Sequence, residues 1–167
     1  MTRYAEGTDV TPVRSRVEIE RLLEQHGATG FAFGTEADRA MIAFRMKNRH
    51  IRMSLIYPPL SDFKRSAGGR VWYTADQQQK ARDAEIRRLW RELVLLLKAK
   101  LVAIQSKITS FEKEFMADTL LPDGSIVFEW LEPQLEDAYR SGRMPPLLPG
   151  MNAQKLIGPG YIDGEVV

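Results

Sequence analysis

The sequence predicts an α+β fold: an N-terminal helix, a small antiparallel sheet of about three strands, a long central helix and shorter C-terminal helices. Three observations carry this expectation. Two capped segments, residues 12–26 and 75–108, place apolar side chains at helical spacing. Residues 31–57 between them hold three short apolar runs bounded by turn formers, as strands do. The chain has 167 residues, 44% of them hydrophobic and 28% charged, which is the make-up of a globular chain long enough to bury a core. We expect one α+β domain over residues 1–142 and a Pro/Gly-rich tail over 143–167.

The first helix is marked by Thr11 as cap and Pro12 in the first helical position, where a missing N–H is no loss. Ser15 and Glu18 offer a second start at capping-box spacing. Val17, Ile19, Leu22 and Leu23 form its apolar face, and Gly27 after His26 is a natural stop.

The strands are read from alternation. Residues 31–34 form a short apolar run, and residues 41–47 and 51–57 are joined by a tight turn near Asn48 and Arg49. Ile42, Phe44 and Met46 share one face, as do Ile51, Met53, Leu55 and Tyr57. With those faces on the core, Arg45, Lys47, His50, Arg52 and Ser54 point outward, and a one-residue slip would bury the arginines. Pro58 and Pro59 then end the third strand.

Residues 59–73 read as a flexible surface loop, in which Phe63, Trp72 and Tyr73 interleave with Lys64, Arg65 and Arg70 around Gly68-Gly69. Burial at the loop's base is expected of Trp72 more than of Phe63. Thr74 caps the long helix, with Gln77 at capping-box spacing. Its stripe runs from Ile86 through Trp90, Leu93, Val94, Leu97 and Leu101 to Ile108, and the run at 93–97 is apolar all round. A helix so long in a small chain points to a homo-oligomer. Thr109 with Glu112 suggests a short helix to Phe115, and a last helix follows from Ser125 to Tyr139, disturbed at Pro133. The tail is expected to dock, if at all, by Leu147, Leu148 and Ile157.

Several functions are excluded or disfavoured. The chain has no cysteine and two histidines, so disulfides, thiol catalysis and cysteine-ligated metal centres are out. The first ten residues lack the apolar stretch of a secretory signal, and the longest apolar run is too short to span a bilayer. A cytoplasmic chain with no membrane contact is expected. No phosphate-binding loop, dinucleotide fingerprint, zinc-protease motif or nucleophile elbow is present. Glu112, Glu114, Asp118 and Asp123 offer carboxylates for a divalent cation, but Glu112 and Glu114 do not share a helix face. The expectation is a non-enzyme without cofactor or metal. An enzyme acting on nucleotides through the Gly68-Gly69 loop is the weakest alternative.

Charge gives the positive signal. Net charge is only +2, yet residues 39–72 carry eight basic side chains against Asp62 alone, a local +7. Residues 109–167 carry ten acidic against four basic side chains, a local −6. A concentrated basic block is a candidate polyanion site. Cations with aromatic neighbours are what single-strand binders use: phosphates meet Lys and Arg while bases stack on rings. The candidate nucleic-acid-binding residues are Arg45, Lys47, Arg49, His50 and Arg52 on the sheet, with Phe63, Lys64, Arg65 and Arg70 on a loop closing over them. The alternative is a protein-binding module, such as an enzyme inhibitor or an assembly factor, using the long apolar helix and the acidic C-terminal third; with the resemblance given next, the inhibitor would be a phage inhibitor of a host enzyme.

Several segments carry a resemblance: YAEGTDVTPVRSRVEIERLLEQHGATGFAFG, DRAMIAFRMKNRHIRMSLIYP, LVLLLKAKLVAI, FEKEFMADTLLPDGSIVFEWLEPQLEDAY and MPPLLPG. Together they resemble a widespread family of uncharacterised bacteriophage and prophage proteins over most of residues 4–150, which implies a viral setting and a host-cell cytoplasm. The order of helix, basic antiparallel strands, loop and long helix is also similar to the core of phage single-strand annealing proteins, including the Red-beta-like group. That likeness is architectural and implies single-stranded DNA as partner, in recombination or replication; it assigns no residue.

Overall fold

Local signals set the helices. The Thr11 hydroxyl accepts a hydrogen bond from the Arg14 amide at 3.3 Å and Pro12 occupies the first position, so helix α1 (Pro12–Gln25) starts where its cap stands. The second start is not used: Ser15 lies inside the helix, fully buried, and its hydroxyl has no partner among the described residues. Helix α2 (Ala75–Gln105) opens on a reciprocal box, in which Gln77 N donates to the Thr74 hydroxyl at 3.3 Å and the Gln77 side-chain Oε1 accepts from Thr74 N at 2.9 Å. The computed structural model describes residues 4–66 and 68–143; most of the expected tail, with Leu147, Leu148 and Ile157, lies outside them.

Strands β1 (Thr29–Thr35), β2 (Arg39–Met46) and β3 (Arg49–Ile56) form one antiparallel sheet in that order. The fold is thus α+β, with the three strands expected. Ala40, Ile42, Phe44 and Met46 alternate inward on β2, and Ile51 and Met53 on β3. The turn sits one residue earlier than the sequence suggests. Lys47 and Asn48 both have positive φ, +48° and +60°, and Met46 pairs with Arg49. This is the two-residue hairpin turn whose twist matches the strands. On β1 an irregularity between Thr29 and Ala32 is absorbed by Gly30 at φ +64°.

Helices α1 and α2 pack together on the inner face of the sheet. The core joins Ile19 and Leu23 of α1, the inward strand residues, and Trp90, Leu93, Val94, Leu97 and Leu101 of α2. Trp90 donates its indole N–H to the Tyr57 hydroxyl at 3.0 Å, so two buried polar handles satisfy each other. Arg91 pairs with Glu18 across the two helices. The pairing, first through its hydrogen bond, holds the Arg91 guanidinium above its ordinary pKa. Leu95 and Leu96 are exposed and Ile108 lies beyond the helix end, so the run at 93–97 is buried on one side only. No helix among the described residues is long and apolar enough to cross a membrane.

The C-terminal part wraps the open edge of β3. Helix α3 (Phe111–Phe115) is capped not by Thr109 but by Ser110, whose hydroxyl accepts from Lys113 N at 3.3 Å. Phe111 and Phe115 are fully buried, and Phe115 meets Phe44 edge-on with ring centroids 5.9 Å apart. The chain then pairs with β3: Arg52 N donates to the Asp118 carbonyl and Leu120 N to the His50 carbonyl, each at 2.8 Å. This short pairing covers part of an edge that would otherwise be free to pair elsewhere. Helix α4 (Val127–Ser141) follows, with Pro133 inside it and no buried residue.

Candidate nucleic-acid interface

The basic residues do not form a uniform face. Small or neutral side chains, including Ala32, Gly34, Ala43 and Ser54, line much of the outer side of the sheet. Arg52 points outward as expected but is occupied. Its guanidinium donates to both carboxylate oxygens of Glu129, at 2.8 and 3.0 Å, and to the Gly124 carbonyl at 2.8 Å. Glu129 in turn accepts from the Ile126 amide at 2.9 Å, capping α4. Arg39, at the other end of the sheet, pairs with Glu36 at 3.0 Å. An outer groove there is lined by Glu36, Arg39, Arg52 and Glu129 together, so this half of the face is electrically mixed.

Cationic character concentrates at the turn end. Arg45, Lys47, Arg49 and His50 are all exposed there, and none forms an ion pair among the described residues. Arg45 stands opposite His50 across the hairpin and donates through Nε to the Thr29 hydroxyl at 3.3 Å. The Lys47 ammonium sits 5.6 Å from the centre of the Phe111 ring, so the turn is braced on the buried aromatic pair. Glu112 feels this cluster. Its own backbone N–H and the Ser110 side chain hold it below the ordinary carboxylate range, and Lys47 and Arg49 add to that lowering.

Beside Lys47 runs an open groove of ≈ 470 Å³, floored by Met46, Leu101 and Ile104 and rimmed by Gln25, His26 and Gln105. His26 Nδ1 lies 2.8 Å from the Leu22 carbonyl, which can only accept. Nδ1 therefore carries the hydrogen and, in the neutral ring, Nε2 is the acceptor. The groove combines an apolar floor with two amides and an imidazole. Sequence reasoning missed it, because α1, the β2–β3 turn and the end of α2 supply its walls.

The loop does not close over this end. It leaves β3 at the opposite end of the strand, and the seven residue steps from Arg49 to Ile56 span about 23 Å at 3.3 Å each. There it folds on itself: Ser66 N donates to the Val71 carbonyl at 2.9 Å and Tyr73 N to the Lys64 carbonyl at 3.0 Å. The Arg65 guanidinium lies 4.2 Å from the centre of the Trp72 ring. Lys64, Arg65 and Arg70 are exposed, as is Trp72, while Phe63 is half-buried at the end of a 3-10 turn (Leu60–Phe63) that packs on α2. The expected order of burial is therefore reversed, because the turn and not the loop tip meets the helix.

Among the described residues no group of three His, Asp or Glu side chains is placed to hold a metal ion. Asp118 is half-buried; that burial raises its carboxyl above the ordinary value, against the opposing pull of Lys100. No family model, curated protein or solved structure matches the chain.

Proposed function

We propose that the chain binds single-stranded DNA at the turn end of its sheet. Phosphates lie on Arg45, Lys47, Arg49 and His50, and one base enters the groove beside Lys47. The observation that carries this reading is the adjacency of the two features: Lys47 belongs both to the cationic turn and to the wall of the apolar-floored groove. Unpaired cations attract a polyanion, and an apolar floor favours an unstacked base. A duplex keeps its bases stacked and leaves such a groove empty, so the single strand is preferred. Strand annealing or support of recombination or replication in a phage setting is the role such binding serves.

Fluorescence anisotropy of a labelled oligothymidylate tests this. Changing Arg45, Lys47 and Arg49 together to Glu should abolish binding while the circular dichroism spectrum stays unchanged. Arg52 is left alone, because reversing it would break its ion pair and confound the result. Binding that survives the triple change would overturn the assignment, and an RNA competitor that displaces the DNA at equal concentration would move the reading to RNA.

The exposed apolar face of α4 favours a second reading, a module that binds a host or phage protein. That reading predicts association insensitive to salt and no affinity for oligonucleotides.

A further inference from the structure

Helix α4 is amphipathic but contributes no buried side chain to the core. Phe128, Leu131, Leu135 and Tyr139 fall at i, i+3, i+7 and i+11, on one face of the helix. Phe128 is 55% and Tyr139 87% exposed. Four carboxylates and Arg140 give α4 a charge of −3. Glu129 is taken by Arg52 and Asp137 by Arg140 at 2.6 Å, whereas Glu132 and Glu136 have no ion-pair partner among the described residues.

The loop after β3 has the complementary character. Trp72 is 65% exposed and Val71 is exposed beside it, flanked by Lys64, Arg65 and Arg70, none of which meets a carboxylate among the described residues. The backbone bonds across the loop hold its two arms together, and the Arg65–Trp72 stack fixes those two side chains. The loop is thus a basic, aromatic knob, and α4 an acidic, aromatic seat. No hydrogen bond, ion pair or ring contact joins them within one chain among the described residues.

We infer that the loop of one copy seats on α4 of a second copy, and reciprocally, so that two chains pair through two identical seats. Aromatic anchors and arginine are what central interface contacts use, and opposite charge fixes partner and register. Area decides for the reciprocal arrangement. With about 150–250 Å² per fully covered aromatic side chain, one seat buries on the order of 500 Å² over both partners. That falls short of the roughly 1,200 Å² of a specific interface, which two seats approach. The two-fold pair is also the commonest closed assembly. This inference stands apart from the DNA-binding reading, since it involves other residues and its test contains no nucleic acid.

Two variants make the test. One carries Glu132→Lys with Glu136→Lys, the other Arg65→Glu with Arg70→Glu; all four side chains lie outside the core. Sedimentation equilibrium should show a dimer for the unaltered chain and a dissociation constant at least about tenfold higher for each variant alone, because both seats then oppose like charges. An equimolar mixture should regain the dimer, since each variant supplies the sign the other needs. A monomeric unaltered chain at about 0.1 mM, unchanged dimerisation of either variant, or a mixture that stays monomeric would each overturn the proposal.

Discussion

Arg52 is the residue whose structural role departs most from its sequence appearance, and that role can be measured. One guanidinium nitrogen, Nη2, reaches both carboxylate oxygens of Glu129, 77 residues later, and the other, Nη1, donates to the Gly124 carbonyl. The Arg52 side chain is 24% exposed and that of Glu129 51%, so solvent screens the pair and a buried-pair value does not apply. Exposed pairs couple by about 0.2–1 kcal/mol, and the bond to Gly124, which holds the guanidinium in place before it meets Glu129, puts this one near the upper end. A double-mutant cycle with Arg52→Ala and Glu129→Gln should therefore give a coupling of about 1 kcal/mol in urea unfolding at pH 7 and low salt. Arg52→Ala alone should cost about 1–2 kcal/mol, because it also removes the donor to Gly124. Hydrogen exchange should speed up at Leu120 N and across residues 124–129. DNA affinity should change by less than about threefold, since the side chain already has its partner. A coupling below about 0.3 kcal/mol, with DNA affinity lost, would show that Glu129 does not engage Arg52 and return Arg52 to the binding site.

Three further outcomes follow from buried polar groups. Tyr57→Phe leaves the Trp90 indole N–H buried without an acceptor, so it should cost about 1–3 kcal/mol and lower the thermal midpoint by about 2–4 °C for each kcal/mol; an unchanged midpoint would show that the bond contributes nothing. Ser15→Ala removes a buried hydroxyl without a partner and installs the best helix former, and it should raise stability by about 1 kcal/mol in urea titrations. Asp118 binds its proton more tightly in the folded chain than in the unfolded one. Its favourable contribution is therefore present below the ordinary aspartate value and is lost as pH rises through the raised one. Asp118→Asn should be more stable than the unaltered chain at pH 7, with the gap closing towards pH 4; a gap that widens as pH falls would contradict the sign.

The parts of the fold governed by neighbours in sequence were legible. Thr11 with Pro12 and Thr74 with Gln77 place two helix starts, because a cap acts over three residues. The period-two pattern of β2 and β3 sorts their faces, because burial alternates along all of β2 and along β3 from His50 on. What stayed hidden depends on distant partners. Nothing near Arg52 in the chain announces Glu129, so an engaged arginine looks in sequence like the free ones. The loop's basic residues look in sequence as if they close over the sheet, because charge alone does not say at which end a strand leaves. The turn slipped by one residue because Lys47 takes a positive φ usually left to Gly or Asn. Of the candidate residues, Arg45, Lys47, Arg49 and His50 are brought together, while Phe63, Lys64, Arg65 and Arg70 lie at the other end. The groove beside Lys47 has walls from three elements, which no single stretch of sequence reveals.

The most direct test of the central claim is the salt dependence of binding to a labelled single-stranded oligonucleotide. Of the four phosphate-facing residues, the Lys and Arg side chains Arg45, Lys47 and Arg49 set the counterion release, which predicts a slope of log K against log salt of about −2 and a dissociation constant of about 1–100 μM near physiological salt. A slope near zero, or no binding even at low salt, would contradict the account.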